Sequence, residues 1–412
     1  MSAAVFETLK ARGFVQQCTD EAAVRELLDG GPVTFYNGFD CTAASLHAGH
    51  LVPIMAMMHL QRAGHRPIVL LGGGTTLIGD PTGKDETRRM VDEATVRGYA
   101  EAIFDQLDRF LGVRRNLALG VNNADWLLEL RYLPFLREIG RHFSVNRMLS
   151  AETYRVRLER EAGLSFIELN YQILQAYDFL HLHRQEGCLL QTGGDDQWSN
   201  ILAGVDLVRR LEGTRAQAMT YSLLTTADGR KMGKTEKGAL WLDAAMTSPY
   251  DYYQYWVNCQ DEDLPRLLRL MTFLPLEEVE ALGALEGAAR REAKQVLAFE
   301  QTRIVHGDEA AGEARAAAQA LFSGGGGDLA AMPSAAVSAA ELAEGLRLTE
   351  ALVRAGLARS NAEARQKIAE GAVWVNERQA TDALALLRQG DVGADGIMLR
   401  LGKKRFARLT VG

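Results

Sequence analysis

Short apolar runs that end in glycine-rich segments, each followed by a helical pattern, recur through about the first 220 residues. Residues 33–36 and 67–71 are predicted strands, and a third strand is predicted at residues 188–191. Helices are predicted over residues 46–61 and from about Gln197. Repeated strand–loop–helix units indicate a parallel sheet with helices on both faces, which binds ligands at the carboxyl ends of its strands. The predicted fold class is therefore α/β, a Rossmann-like doubly wound parallel sheet.

Length and composition restrict the class of protein further. At 412 residues the chain is too long for one ordinary core, and 47% hydrophobic with 24% charged residues is typical of a globular protein. No apolar run reaches the roughly 20 residues that cross a bilayer. Glu7, Lys10 and Arg12 interrupt the start, which argues against a secretory peptide and favours a cytoplasmic protein. Four dispersed cysteines without a C-x-x-C pair argue against a zinc finger and against disulfides.

The organisation along the chain predicts several domains. Helical periodicity dominates residues 249–322, and four consecutive glycines at 324–327 cannot sustain a helix. Between 123 and 160 the pattern is irregular and rich in aromatic residues, which favours an insertion with an interaction surface, although ordinary core is an equal alternative. The predicted divisions are a Rossmann-like α/β domain at 1–222 with that insertion, a loop and connection at 223–248, a helical domain at 249–322, a linker at 323–345 and a small α+β domain at 346–412.

The last of these domains is basic although the chain as a whole is acidic. Residues 346–412 hold 12 Lys and Arg against 7 Asp and Glu, whereas the whole chain carries a net charge of −7. A basic module attached to an acidic body favours RNA as its partner, and a solvated charged face is the alternative. Two helices are predicted here, at residues 348–355 and from a capping box at Ser360–Glu363 to Gly371, and a strand is predicted at Val373–Val375. The candidate RNA-binding residues are on or beside these two helices: Arg354, Arg359, Arg365 and Lys367.

The strongest local motif is His47-Ala48-Gly49-His50, where a predicted strand gives way to a helix. A helix N-terminus has unpaired backbone N–H groups and attracts phosphate. The two histidines are three residues apart, so they share one face of the first turn, and Gly49 admits a ligand close to the backbone. A structural histidine pair is the more common explanation for so short a motif.

A second motif, Lys231-Met232-Gly233-Lys234-Thr235, lies in a polar loop at residues 226–238. Four basic residues would repel one another in a purely structural loop. They suit a mobile flap that closes over a polyphosphate. The spacing of a P-loop is absent.

A third cluster, Tyr171, Gln175 and Asp178, has steps of four and three residues that place all three side chains on one helical face. A solvated surface helix would show the same pattern. Two glycine turns, at residues 79–84 and 193–198, add further carboxylates and a lysine.

These motifs, in this order, resemble those of the bacterial tyrosyl-tRNA synthetases, a class I aminoacyl-tRNA synthetase family. His47-Ala48-Gly49-His50 is similar to the HIGH signature of that class and Lys231–Thr235 to its KMSKS signature. The tyrosine-specific members are matched at residues 36–40, 171–178 and 193–198. Residues 360–376 resemble the S4-type RNA-binding domain that these enzymes carry at the C-terminus.

The resemblance implies a two-step activity. ATP, with Mg²⁺ bound through its phosphates, would activate L-tyrosine to tyrosyl-adenylate, and the tyrosine would pass to the 3′ end of tRNA(Tyr). It also implies a homodimer joined through the 123–160 insertion, a tRNA-binding role for the helical domain and no metal held by the protein. Because the substrate carboxylate is already ionised, catalysis would need positioning and charge neutralisation and no general base.

Roles for individual residues follow from the same resemblance. Tyr36 and Asp178 would hold the tyrosine hydroxyl, and Gln197 would lie near its carboxylate. Its ammonium group would contact Asp80, Tyr171 and Gln175. Contacts to ATP and its ribose would come from Gly38, Asp40, Gly49, Gly194, Asp196 and Lys234. The catalytic set would be Thr42, His47, His50, Lys84, Arg88, Lys231, Lys234 and Thr235.

The chain departs from the family pattern at Asn37, Cys41, Ala48, Pro53 and Gly233. Two alternatives stay open at the level of sequence. A tryptophanyl-tRNA synthetase shares both signatures, but a tyrosine and an aspartate placed for a hydroxyl argue against it. A catalytically inert RNA-binding paralogue would not need the intact histidines and lysines of the two signatures.

Overall fold

A computed structural model describes residues 4–81, 91–159, 164–230, 232–235, 238–323, 333–376, 378–393, 396–402 and 405–411. The chain divides into two compact units. The first comprises Met1–Thr235, Ala239–Asp243 and Gln260–Arg290. The second comprises Glu236–Gly238, Ala244–Cys259 and Arg291–Gly412.

The helices and strands alternate through the first unit, whereas the C-terminal region is mainly strand. The α-helices are, in chain order, α1 (Val5–Arg12), α2 (Glu21–Asp29), α3 (Leu51–Arg62), α4 (Gly73–Ile78), α5 (Glu93–Leu111), α6 (Ala124–Leu127), α7 (Tyr132–Glu138), α8 (Val145–Leu149), α9 (Glu152–Glu159), α10 (Phe166–Glu186), α11 (Trp198–Glu212), α12 (Pro249–Val257), α13 (Leu264–Met271), α14 (Leu276–Gly283), α15 (Gly287–His306), α16 (Asp308–Ser323), α17 (Ala339–Glu344), α18 (Leu348–Arg354) and α19 (Asn361–Ala369). The strands are β1 (Val15–Cys18), β2 (Thr34–Asp40), β3 (Arg66–Gly72), β4 (Leu119–Asn122), β5 (Leu190–Gly194), β6 (Gln217–Tyr221), β7 (Lys234–Thr235), β8 (Gly238–Ala239), β9 (Ser334–Val337), β10 (Leu346–Arg347), β11 (Val373–Val375), β12 (Arg378–Ala380), β13 (Leu386–Leu387), β14 (Ile397–Leu401) and β15 (Arg405–Val411).

A six-stranded sheet in the order β1-β6-β5-β2-β3-β4 forms the centre of the first unit and confirms the predicted α/β class. Strands β6, β5, β2, β3 and β4 are parallel, but β1 pairs antiparallel with β6, so the sheet is mixed and not purely parallel as predicted. The chain builds outward from β2 through β3 to β4, and then returns to the other side of β2 with β5. The gap beyond the ends of β2 and β5 is therefore a topological switch point, where such sheets bind ligands.

Strand β2 continues to Asp40, although the sequence predicted that it ends at Tyr36. It is extended because it pairs on both sides: Asn37 lies opposite Val69 of β3 and opposite Thr192 of β5. The glycine-rich segment after the strand predicted at 67–71 forms no loop, since Gly72 ends β3 and α4 begins at Gly73. A Cβ at Gly73 would lie 2.3 Å from Oδ1 of Asn122, so glycine permits this close approach.

The predicted helical domain at 249–322 is divided between the two units. α13 and α14 belong to the first unit, whereas α12 and α16 belong to the second. α13 is held in the first unit by Arg12, whose Nη1 donates to the carbonyl oxygens of Arg269 at 3.0 Å and Thr272 at 2.8 Å. Helical periodicity alone does not show which core a helix packs against.

The C-terminal region contains a five-stranded sheet in the order β12-β11-β14-β15-β9. Its inner face packs against helices through buried side chains that include Leu342, Leu352, Ile368 and Leu399. The predicted linker at 323–345 is therefore too long, because β9 pairs in parallel with β15 and α17 contributes Leu342 to this core. The low-complexity, alanine-rich sequence concealed both elements.

The helix predicted to begin at Ser360 is confirmed, with one difference at its cap. The Ser360 side chain accepts from the backbone N–H of Glu363 at 3.2 Å, as predicted. The Glu363 carboxylate, however, accepts from the backbone N–H of Arg359 at 2.7 Å and not from Ser360. The predicted strand at Val373–Val375 is confirmed, and Asn376 follows it with φ of 45°.

Candidate active site

A cavity of about 670 Å³ opens at the carboxyl ends of β2 and β5, at the switch point of the sheet. It is lined by residues from β2, β5, α10 and the two signature segments. The predicted site residues that line it are Tyr36, Gly38, Asp40, Thr42, His47, Gly49, His50, Asp80, Tyr171, Gln175, Asp178, Gly194, Asp196 and Gln197. Residues that lie in five separate segments of the sequence thus share one cavity.

The deep end of the cavity is built around Asp178. This carboxylate is 1% exposed, and it accepts hydrogen bonds from Nδ2 of Asn123 at 2.9 Å and from Nε1 of Trp126 at 2.8 Å. Tyr36 is also buried, and its hydroxyl has no hydrogen-bond partner among the described residues. A buried hydroxyl without a partner is costly, so this end of the cavity suits a ligand that brings a polar group.

The electrostatics of this end follow from burial. The pKa of Asp178 is raised to about 7. Burial is the main cause of this rise, the hydrogen bonds from Asn123 and Trp126 oppose it, and the charge of Asp40 adds to it. Burial, followed by the charge of Asp178, raises the pKa of Tyr36 well above its usual value. Tyr36 therefore stays a neutral donor and acceptor near pH 7, whereas Asp178 titrates in that range.

A second set of polar side chains also lines the cavity. The hydroxyl of Tyr171 donates to Oδ2 of Asp40 at 3.0 Å, and Thr75 Oγ1 donates to Oδ1 of the same carboxylate at 3.0 Å. Nε2 of Gln197 donates to Oδ2 of Asp80 at 2.7 Å. The side-chain oxygen of Gln175 is buried without a partner among the described residues. Carboxylates and an unused amide oxygen together suit a cationic ligand group.

The first signature forms a single 3₁₀ turn, Ala48–His50, immediately before α3, and not the first turn of the predicted helix. Nδ1 of His47 accepts from the backbone N–H of Gly49 at 3.1 Å, and Nδ1 of His50 accepts from the backbone N–H of His47 at 3.1 Å. The two rings lie 4.0 Å apart between centroids. A Cβ at Gly49 would lie 2.9 Å from Cε1 of His47, so this glycine accommodates the imidazole.

This bonding determines what the histidines offer to a ligand. Burial, and then the neighbouring His47, lower the pKa of His50 to about 3, so it is neutral at pH 7. Because Nδ1 accepts a backbone N–H, the proton of the neutral ring is assigned to Nε2. The His50 ring can therefore donate from Nε2 without carrying a charge.

The second signature meets the first in the same unit. The backbone N–H of Leu240 donates to the carbonyl oxygen of Gly233 at 2.7 Å, and the N–H of Ala48 donates to the carbonyl oxygen of Leu240 at 2.9 Å. A Cβ at Gly233 would lie 3.3 Å from Cβ of Ala48. Met232, Gly233 and Ala239 line the cavity. The two segments, far apart in sequence, therefore lie side by side at its mouth.

Some predicted residues are not placed in the cavity. Lys84, Arg88 and Lys231 lie outside the described residues, and only the backbone of Lys234 and Thr235 is described, as strand β7. The four candidate RNA-binding residues lie in the C-terminal region. Arg354 forms ion pairs with Glu341 and Glu350, both at 2.6 Å, and Lys367 pairs with Glu370 at 2.9 Å.

Sequence reasoning missed several residues of the site. Asn123 and Trp126 were assigned to a peripheral insertion, yet both bind Asp178. Thr75 and Gln191 also line the cavity or bind its carboxylates, and the side-chain oxygen of Gln191 is buried without a partner in the described structure. A strand end at Asn122 was the one available signal, because polar residues after parallel strands lie at the ligand-binding edge.

The described residues contain neither a cluster of metal ligands nor a membrane-spanning helix. Among them, no group of three or more His, Cys, Asp or Glu is arranged to hold a metal ion. Within the same residues, none of the helices combines the length and apolar character needed to cross a membrane. None of the four cysteines, all of which lie in the described parts of the chain, forms a disulfide.

Comparison with known proteins identifies the family. The protein family described as "tRNA synthetases class I (W and Y)" matches residues 28–323. The domain family described as "Tyrosine--tRNA ligase SYY-like C-terminal domain" matches residues 328–409. The tyrosine–tRNA ligase of Clostridium botulinum (strain 657 / Type Ba4) is 51% identical over 99% of both chains. That of Caldanaerobacter subterraneus subsp. tengcongensis is 50% identical over the same share.

A solved structure supports the same relationship. The C-terminally truncated mitochondrial tyrosyl-tRNA synthetase of Aspergillus nidulans has a TM-score of 0.70 and 29% identity, over 78% of this chain and 94% of that chain. The fold and the site are those of a class I aminoacyl-tRNA synthetase. Within that class, the chain belongs to the bacterial tyrosine–tRNA ligase family.

Proposed function

We propose that the residues lining this cavity catalyse the reaction of the family, tyrosine–tRNA ligation. The enzyme joins ATP and L-tyrosine into tyrosyl-adenylate with release of pyrophosphate, and then transfers the tyrosine to tRNA. The carboxylate of the substrate attacks the α-phosphate. It is already ionised at neutral pH, so no side chain has to remove a proton from it.

Tyr36 and Asp178 select the amino acid. The phenol of the substrate donates to the Asp178 carboxylate and accepts from the otherwise unpartnered hydroxyl of Tyr36. Phenylalanine would leave both buried groups without a partner, and that cost discriminates against it. The ammonium group is received between Asp80, Tyr171 and the free amide oxygen of Gln175. Gln197, through its contact with Asp80, lies where the substrate carboxylate is expected.

The two signatures bind ATP. His47 and His50, with Thr42 and Gly49, contact its phosphates, while Gly38, Asp40, Gly194 and Asp196 surround the ribose. A Cβ at Gly194 would lie 2.8 Å from Oδ1 of Asp196, so glycine is needed beside that carboxylate. Lys84, Arg88, Lys231 and Lys234 neutralise the charge that develops on pyrophosphate, and the hydroxyl of Thr235 donates a hydrogen bond to it. Mg²⁺ arrives bound to the ATP phosphates and adds to the same neutralisation.

The observation that carries this mechanism is the convergence of Ala48 and Gly233 beside a cavity that ends in Tyr36 and Asp178. ATP–pyrophosphate exchange with each standard amino acid tests it directly. Stimulation by tyrosine alone is the expected result. Stimulation by tryptophan would point to the sibling specificity, and stimulation by none would contradict the mechanism.

A homodimer is part of the proposal. Large apolar side chains are exposed in the region that the sequence predicted as an interface: Leu133 is 74% exposed, Tyr132 61% and Val145 56%. Exposed apolar side chains that form a patch commonly mark a protein–protein contact. Sedimentation velocity should show a dimer, and Leu133→Glu should shift it to monomer. A cytoplasmic location, where tRNA is charged and thiols stay reduced, belongs to the same proposal.

A further inference from the structure

The indole that donates to Asp178 belongs to a very short helix. Trp126 lies on α6, a single turn of four residues, and its backbone N–H donates to the carbonyl oxygen of Asn123 at 3.3 Å. A single helical turn has little stability of its own. The Trp126 side chain is only half-buried, yet its Nε1 bonds to the Asp178 carboxylate at 2.8 Å. Tertiary contacts therefore have to fix the direction of this ring.

One such contact comes from His181. Its imidazole stacks on the indole of Trp126, with 4.2 Å between the ring centroids and 16° between the ring planes. His181 is half-buried and lies on α10, three residues after Asp178, so the two side chains share one face of the same helix. Helix α10 thus supplies both the carboxylate and the ring that covers the donor of its hydrogen bond.

The stacked ring restricts the direction of the indole hydrogen bond. The N–H bond of an indole lies in the plane of the ring, and a hydrogen bond weakens as its angle departs from linear. A nearly parallel ring at 4.2 Å leaves the indole of Trp126 no room to tilt toward it. Asp178 is 1% exposed, so water does not readily replace a donor that is lost. Removing the stack should therefore weaken the bond that Asp178 receives.

The charge state of His181 suits a stacking role. Burial, and then the nearby Arg184, lower the pKa of His181, so the ring is neutral at pH 7. A neutral imidazole offers the indole a flat surface and adds no charge beside Asp178. The other titratable groups that act on or are affected by this carboxylate are Asp40, Tyr36 and Tyr171.

We propose that His181 is a positioning residue for the selection of tyrosine: its imidazole holds the Trp126 indole so that Nε1 stays directed at Asp178. The phenol of the substrate then meets a carboxylate whose position is fixed before binding. This inference rests on the proposed function and deepens it, because it extends the selective end of the site to a residue outside the cavity lining.

The test compares tyrosine with phenylalanine in ATP–pyrophosphate exchange. His181→Ala should lower kcat/KM for tyrosine about three- to tenfold, the effect of losing one aromatic stack, and change that for phenylalanine less than about twofold. Phenylalanine is the internal reference because it lacks the hydroxyl that Asp178 would bind. His181→Phe keeps a flat ring against the indole and should stay within about twofold of wild type. The KM for ATP should be unchanged in both variants.

The pH profile supplies a readout that a merely structural role would not move. The bond from Trp126 lowers the pKa of Asp178, so weakening it in His181→Ala should move the inflection in kcat/KM for tyrosine from about pH 7 to higher pH. His181→Phe should leave the inflection in place. Because that variant has no imidazole at this position, a retained inflection cannot come from His181 itself.

His183→Ala is the matched control. His183 is a half-buried histidine of the same helix, and its Nδ1 lies 2.9 Å from the carbonyl oxygen of Cys188. This variant should leave both the tyrosine-to-phenylalanine ratio and the inflection unchanged. The thermal midpoint of each variant shows whether it is folded.

Three results would overturn the inference. A wild-type ratio and inflection in His181→Ala would show that the indole keeps its direction without the stack. Impairment of His181→Phe as large as that of His181→Ala would show that a flat ring is not what matters. Equal losses for both amino acids, shared with His183→Ala, would attribute the effect to α10 as a whole. Absence of tyrosine-stimulated exchange in the wild-type enzyme would instead contradict the proposed function, so the two failures are distinguishable.

Discussion

At the scale of single residues, the proposed selection of tyrosine depends on one buried carboxylate and one buried hydroxyl. Asp178 keeps a partly ionised carboxylate at 1% exposure because Asn123 and Trp126 both donate to it. Tyr36 is left without a partner in the described structure. The protein thus bears an unfavourable polar group that only the right ligand satisfies.

Tyr36→Phe separates recognition from stability. Because the hydroxyl has no partner among the described residues, removing it should leave the thermal midpoint unchanged or slightly raised. The kcat/KM ratio of tyrosine over phenylalanine should fall about three- to tenfold, since one neutral hydrogen bond to the substrate is lost. Tyr253→Phe, at a buried tyrosine of the second unit, is the control and should leave the ratio unchanged. An unaltered ratio in Tyr36→Phe would refute its role.

Tyrosine recognition should depend on pH through Asp178. Burial raises the pKa of this carboxyl to about 7, so below that pH the group is protonated and accepts the substrate phenol poorly. The kcat/KM for tyrosine should therefore fall as pH decreases through about 7. Asn123 lowers this pKa, so Asn123→Ala should move the inflection to higher pH. A pH series of exchange assays checks both, and an inflection that stays in place in Asn123→Ala would contradict the assignment.

At the scale of elements, α13 holds residues 223–227, which lead into the loop that carries the second signature. Nη1 of Arg266 donates to the carbonyl oxygen of Thr225 at 2.8 Å, and Nη2 donates to that of Leu223 at 2.7 Å. Asp263, at the start of α13, accepts from the backbone N–H of Ala227 at 2.6 Å. The segment that precedes the second signature is thus tied to a helix of the first unit at three points. The closure over ATP that the sequence predicts for this loop would need such a fixed base.

Arg266→Ala should lower kcat for tyrosine activation about tenfold while changing the KM for ATP less, because misplaced loop residues lose contacts that matter most in the transition state. Exchange kinetics at varied ATP concentration measure the two parameters separately. Arg269→Ala removes an arginine of the same helix whose side chain pairs with Glu280 at 3.1 Å, and it should behave as wild type. Equal losses in both variants would attribute the effect to α13 as a whole.

The sequence predicted helices and strands better than it predicted the tertiary contacts that they make. The strand and helix at Val373–Val375 and from Ser360 depend on local caps and alternation, and they were correct. The role of Asn123 and Trp126 depends on Asp178, 55 and 52 residues away along the chain, and no local pattern encodes that contact. The helices of 249–322 were recognised, but their division between two units depends on tertiary contacts such as that of Arg12 with Thr272.

At the scale of the whole molecule, the limits of the C-terminal domain decide which truncation leaves an ordered protein. The sequence placed the start of that domain at residue 346, but β9 begins at Ser334 and forms the edge of its sheet. Leu342 of α17 is 0% exposed within the same core. A cut at residue 345 therefore leaves a strand and a helix whose packing partners have been removed.

Deletion of residues 333–412 should preserve adenylate formation, because every described residue that lines the cavity lies in the first unit. It should strongly reduce charging of tRNA, since the basic domain is gone. Deletion of 345–412 should give the same exchange activity but a more aggregation-prone protein, because the apolar side of α17 and the edge of β9 become exposed. Exchange assays, aminoacylation and light scattering on both truncations distinguish these outcomes. If the longer deletion abolished exchange as well, the catalytic cavity would depend on the C-terminal domain, and the two steps of the reaction could not be separated by truncation.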